Sequence, residues 1–190
     1  MTLAILLDQK YTYGHYRQWP QAERWELIEG VPHAMTAPSR RHQETVFELA
    51  GQIRNQLLEA DCNGYVAPFD VRLPEGTETD DRIETVVQPD LLVVCDPDKL
   101  DDQGCRGAPD WIIEVTAPST AVTDLNRKRD LYQHHGVREY WIVHPLEHWV
   151  MVYLLDAAGA YGKPQVFSME APVAVQCLPG IVIDWERVSG

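Results

Sequence analysis

Two acidic residues stand where the surrounding apolar sequence gives them no ordinary purpose. In VVQPDLLVV, Asp90 sits just ahead of an apolar run, and in WIIEVTA, Glu114 lies inside one. A carboxylate buried alone in a strand costs roughly several kcal/mol or gives up its charge, so a buried acid calls for a cation. Glu114 by itself reads equally well as an edge residue facing water or as the partner of a buried arginine. Two acids near adjacent strands can instead share one ion, and their all-oxygen ligand set favours a hard divalent cation, Mg²⁺ or Mn²⁺, over Zn²⁺.

Lys128 shifts the balance. On a helical wheel centred on it, Ala121, Asp124, Leu125, Leu131, Tyr132 and His135 all fall within about 60°. A lysine therefore occupies the middle of the apolar face, while its neighbours Arg127 and Arg129 fall on the flanks where solvated charge belongs. A lysine snorkelling from the helix edge, with Asp124 as its i,i+4 partner, is the plain alternative. The contrast with the flanking arginines favours an inward ammonium near Asp90 and Glu114, with both arginines outside the cleft.

These residues need elements to position them. The runs Leu91 to Cys95, Trp111 to Val115 and Tyr140 to Val143 read as strands of a sheet covered on both faces. A helix from about Ala121 to His135, closed by Gly136, separates the last two and predicts a parallel crossover. From Ser39, a plausible N-cap, His42, Val46, Leu49, Ala50, Ile53 and Leu57 form a helical stripe; Glu44 lies opposite it, in solvent. Trp25 to Ile28 and Tyr65 to Leu73 predict further strands. Val150 to Leu155 predicts a hairpin partner, and the proline-interrupted stretch from Gln165 to Val182 predicts edge strands. Pro74 to Asp81 and Asp96 to Gly107 read as loops.

Composition bounds the rest. At 190 residues, 45% hydrophobic and 24% charged, the chain suits a single domain, 1–190, of α/β class. The apolar run near the N-terminus, Leu3 to Leu7, does not make a signal peptide, and no run spans a bilayer. Cys62, Cys95, Cys105 and Cys177 lack metal-ligand spacing and are expected to be free thiols in a reducing, cytoplasmic setting. The net charge of −13 opposes avid nucleic-acid binding unless charge is segregated, for which Arg40–Arg41 and Arg127 to Arg129 are the candidates.

The string Pro89-Asp90, then DWIIEVTAPST, then DLNRKRDLYQHHGVREYWIVHP resembles a large family of uncharacterised bacterial proteins, abundant in cyanobacteria and described as restriction endonucleases. That family belongs to the PD-(D/E)XK nuclease superfamily, and the matching motifs run from about Trp25 to Pro145. The resemblance implies a restriction-endonuclease-like fold, a mixed central β-sheet flanked by helices, with Asp90 and Glu114 as metal-binding acids. It implies a Mg²⁺- or Mn²⁺-dependent endonuclease acting on nucleic acid, DNA first, and a possible homodimer. The chain departs from the superfamily signature at Thr116, where a lysine is called for. Related members carry a migrated lysine on the following helix, and Lys128 matches that position. Glu29 and His42 are auxiliary candidates, as is Asp124.

Other motifs carry less. His144 and His148 straddle Pro145, which weakens any zinc reading. Ser39 and Ser119 lack a base at helical or strand spacing. Trp141, Trp149, Tyr140 and Tyr153 read as core or interface residues. A catalytically inactive binding or regulatory module on the same scaffold is the alternative function, since fold alone does not fix activity.

Overall fold

The computed structural model describes residues 9–20, 23–116 and 124–188. Two six-stranded sheets dominate it. The sheet that positions the central acids contains β3 (Asn63–Val66), β6 (Leu91–Val94), β9 (Trp111–Val115), β10 (Glu139–His144), β11 (Trp149–Leu154) and β12 (Gln165–Ser168). Its order is β12-β11-β10-β9-β6-β3; β9 and β10 are parallel and every other pair is antiparallel. The predicted parallel crossover is therefore present, and β12 is an edge strand as its proline-rich surroundings suggest.

Alternation along these strands divides the core in two. Leu91, Val93, Trp111, Ile113, Val115, Trp141 and Val143 pack towards Leu49 and Ile53 of α2 (Arg40–Gln56), the helix that follows the short α1 (Tyr13–Tyr16), and towards Leu57 just past its end. Leu92, Val94, Ile112, Tyr140 and Ile142 pack on the other face with Leu131 and Tyr132 of α3 (Arg129–His135). Burial on both faces explains the near-continuous apolar runs. Glu114 stands between Ile113 and Val115, opposite Ile142 in the register, so it shares the α3-side face with Ile112. Trp111 and Trp141 meet edge to face at 5.0 Å, and Tyr132 meets Tyr140 likewise; these aromatics fill the core.

The second sheet, of order β2-β1-β5-β4-β8-β7, packs on that same α3 side. Its strands are β1 (Trp25–Ile28), β2 (Val31–Ala34), β4 (Val71–Arg72), β5 (Val86–Val87), β7 (Leu100–Asp101) and β8 (Gly104–Arg106). Two expectations change here. The stretch Tyr65 to Leu73 is not one strand: it breaks around Pro68, so that β3 pairs in one sheet and β4 in the other. The segment Asp96 to Gly107 holds the β7–β8 hairpin rather than a bare loop. Its turn requires Gly104, at φ +128°, because a Cβ there would lie 2.2 Å from the Asp70 carbonyl oxygen. Arg72, wholly buried, ties this region together by pairing with Asp80 and with both carboxylate oxygens of Asp101 at 2.7 Å.

The expectation of four free thiols is also corrected. The register that sets Asn63 against Val94 brings Cys62 opposite Cys95 one step further, and the two form a disulfide. Cys105 and Cys177 are free and buried. Among the described residues, no helix is long and apolar enough to cross a membrane.

Candidate active site

A cleft of ≈ 820 Å³ opens where β1, β9, the start of α2 and the segment entering α3 converge. Asp90, Glu114, Lys128 and His42 all line it, as does Glu26. Each arrives by a local rule. Asp90 follows Pro89 at the mouth of β6; one oxygen, Oδ2, accepts the Val115 backbone N–H at 2.8 Å and lies 3.0 Å from His42 Nε2. His42 comes from the first turn of α2, where the Ser39 hydroxyl caps the helix by accepting from the His42 backbone N–H. Glu44, bonded to Arg40, remains in solvent on that helix.

Lys128 ends a π-helical turn, Asp124–Lys128, that runs straight into α3. Such turns interrupt the α-helical hydrogen-bond ladder and recur at functional sites. Its residue is 5% exposed, and Nζ donates to Glu114 Oε1 and to Glu26 Oε1, both at 2.9 Å. Four residues on, along the same face, the Tyr132 hydroxyl donates to the same Glu114 oxygen at 2.8 Å. Gly136 then stops the helix in a left-handed conformation, φ 86°, its N–H returning to Tyr132 and Gln133.

The acids outnumber the cation. Glu114 and Glu26 share the Lys128 ammonium, with Asp90 beside them in the cleft, and burial pushes the Glu114 carboxyl up to about 8. Lys128 opposes that rise, while the Asp90 and Glu26 charges add to it. The hydrogen bonds described engage only Oδ2 of Asp90 and Oε1 of Glu114. An excess of buried negative charge, with two carboxylate oxygens outside these bonds, is the donor chemistry a hard divalent cation needs. The residues present fit such an ion.

The other candidates fall differently. Glu29 occupies the β1–β2 turn, exposed at φ 51°, and borders a separate pocket. The buried glutamate of that region is Glu26, 6% exposed, whose Oε1 also accepts the Gln88 N–H at 2.9 Å. Sequence reasoning chose the acid beside Gly30 and passed over the one inside WELI, although an acid within an apolar strand is the signal that singles out Glu114. Tyr132 was visible on the Lys128 face but not as a hydroxyl donor. Arg127, expected outside, lines the cleft and donates to His33 at 2.8 Å; Arg129 pairs with its neighbour Asp130. The Asp124 side chain, and Ser119 and Ala121 entirely, lie outside the described residues.

The mixed sheet with helices on its faces is a restriction-endonuclease-like fold. A putative nuclease belonging to DUF820 from Anabaena variabilis ATCC 29413 superimposes with a TM-score of 0.74 at 18% identity, covering 94% of this chain and 97% of that one. The chain belongs to the Uma2 family, described as "Putative restriction endonuclease", whose profile matches residues 13–186. It is 25% identical over 136 residues to the uncharacterized protein slr1290 of Synechocystis sp. (strain ATCC 27184 / PCC 6803 / Kazusa), across 70% of this chain and 68% of that protein.

Proposed function

We propose that this chain is a metal-dependent endonuclease that hydrolyses phosphodiester bonds in nucleic acid, with DNA as its substrate. The observation that carries the reading is the buried Lys128 ammonium, 2.9 Å from Glu114 in the cleft that Asp90 also lines. Membership of a family described as "Putative restriction endonuclease" supports it.

Asp90 and Glu114 would hold Mg²⁺ or Mn²⁺. When bound, the cation polarises the scissile phosphate and lowers the pKa of a water in its shell. Lys128 then serves the phosphate: its ammonium, fixed by Glu26 and Glu114, can donate to the oxygen on which negative charge develops. Tyr132 holds Glu114, and His42 with the Val115 N–H holds Asp90, so neither acid must reorganise during the reaction. Arg24 and Arg127 line the same cleft and offer contacts to flanking phosphates. These guanidiniums are the local positive charge that the cleft sets against the net charge of −13.

A binding module without catalysis is favoured by one observation, Thr116 in place of the signature lysine. Nicking of supercoiled plasmid in Mg²⁺ or Mn²⁺ separates the two readings. Cleavage by the unaltered chain, lost in Asp90→Asn and Lys128→Ala, is expected. No cleavage of DNA or RNA with either cation, alongside intact nucleic-acid binding, would transfer the proposal to the binding module.

A further inference from the structure

A second group of metal-ligating side chains lies apart from the cleft. His134 and His135 end α3, and Glu75 reaches them from the segment that follows β4. One ligand atom from each lies within 4.8 Å of the other two. His134 Nε2 is 2.7 Å from Glu75 Oε2, and His135 Nε2 is 3.5 Å from Glu75 Oε1.

His135 distinguishes this group from a chance surface cluster. Its side chain is 6% exposed, yet Nε2 is a buried atom with no hydrogen-bond partner. A buried nitrogen left without a partner costs roughly 1–3 kcal/mol, so the arrangement needs an explanation. A buried imidazole nitrogen with no hydrogen-bond donor facing it can offer a lone pair, the form in which histidine binds metals. Glu75 is held, because its backbone N–H donates to Glu78 at 2.7 Å.

We propose that Glu75, His134 and His135 form a binding site for a borderline divalent transition metal of the Zn²⁺ class, which ties the end of α3 to the segment after β4. Two imidazoles and one carboxylate suit such an ion and suit Mg²⁺ poorly. The site borders its own pocket, which Glu75, Glu78, Asp130 and His134 line. Neither Asp90 nor Glu114 belongs to it. Its consequence reaches the main cleft through the helix: a clamp at one end of α3 restrains the element that carries Lys128 at the other.

The test uses the full chain without a histidine tag, stripped of metal, in an Asp90→Asn, Glu114→Gln background that removes the cleft's acid pair. Zn²⁺ calorimetry should show one equivalent bound, and Co²⁺ should give the visible absorption of a low-coordinate nitrogen–oxygen site. Millimolar Mg²⁺ should not compete. His134→Ala and Glu75→Gln alter exposed side chains and leave the core intact; each should weaken Zn²⁺ at least about 100-fold, the upper range for losing even an outer partner of a ligand. Absence of Zn²⁺ binding in the background protein, or unchanged affinity in both variants, would overturn the assignment.

Discussion

Lys128→Ala tests the site through stability as well as activity. The substitution leaves Glu26 and Glu114, whose side chains are 7% and 10% exposed, without the ammonium that joins them. Breaking a buried pair by removing one partner costs about 3–5 kcal/mol when the remaining charge is left uncompensated. Glu26 keeps the Gln88 N–H and Glu114 keeps the Tyr132 hydroxyl, so the lower end, about 3 kcal/mol near pH 8, is expected. The penalty must depend on pH. Glu114 is already raised to about 8, chiefly by burial, and Lys128 is the group that opposes the rise. Loss of the lysine raises it further. An acid whose folded pKa lies above its unfolded value stabilises most below the unfolded pKa, and that contribution is lost as pH rises through the folded pKa. Both proteins lose this contribution in parallel up to about pH 8, so the variant's deficit should stay level from pH 5 to 7 and grow between pH 8 and about pH 9.5. Urea denaturation of both proteins at pH 8 and about pH 9.5, in chelator, measures it. A deficit below about 1 kcal/mol at pH 8, the size of an exposed pair, or one equal at both pH values, would refute the buried bridge.

Other substitutions separate the roles of neighbouring residues. Asp90→Asn should remove measurable Mn²⁺ affinity in the cleft by calorimetry while the protein still folds cooperatively. Glu26→Gln should lower plasmid nicking at least about tenfold by loosening Lys128, whereas Glu29→Ala, altering an exposed turn residue, should leave nicking unchanged and shift stability by less than about 0.5 kcal/mol. Arg72→Leu strips the partly exposed Asp80 and Asp101 of their buried partner and should cost about 1–3 kcal/mol in a denaturant melt.

The parts of this molecule that announce themselves in sequence are those with strong periodicity. The α2 stripe, the buried runs of β6, β9 and β10, and the stop at Gly136 follow from spacing and local stereochemistry, and so does the inward turn of Lys128. What escaped depends on contacts between residues distant in the chain. The split of Tyr65 to Leu73 between two sheets, and the β7–β8 hairpin beneath Arg72, are decided by partners that no local pattern names. The disulfide escaped for the same reason: 33 residues separate Cys62 from Cys95, and only the β3–β6 register sets them opposite each other. Glu26 is instructive because its signal was local. An acid in WELI differs little from one in WIIEV, but the neighbouring Glu29-Gly30 turn offered a more conspicuous candidate.

Thr116 shows why a lysine on the helix can stand in for one on the strand. Residues two apart on a strand share a face, and Thr116 does line the cleft with Glu114. Its hydroxyl donates to the Val143 carbonyl at 3.2 Å, and its backbone N–H donates to the same oxygen at 2.8 Å, so the residue secures the end of β9 to β10. A lysine at 116 would lose that hydroxyl bond and bring a second ammonium towards the carboxylate that Lys128 already binds. Two buried cations sharing Glu114 would repel each other within a few ångströms, whereas one cation between Glu26 and Glu114 is attracted from both sides. The short threonine leaves that position to a side chain arriving from the π-helical turn. Placing the lysine on a helix also couples the cleft to α3, so anything that fixes the far end of that helix bears on the ammonium near the proposed site of phosphate chemistry.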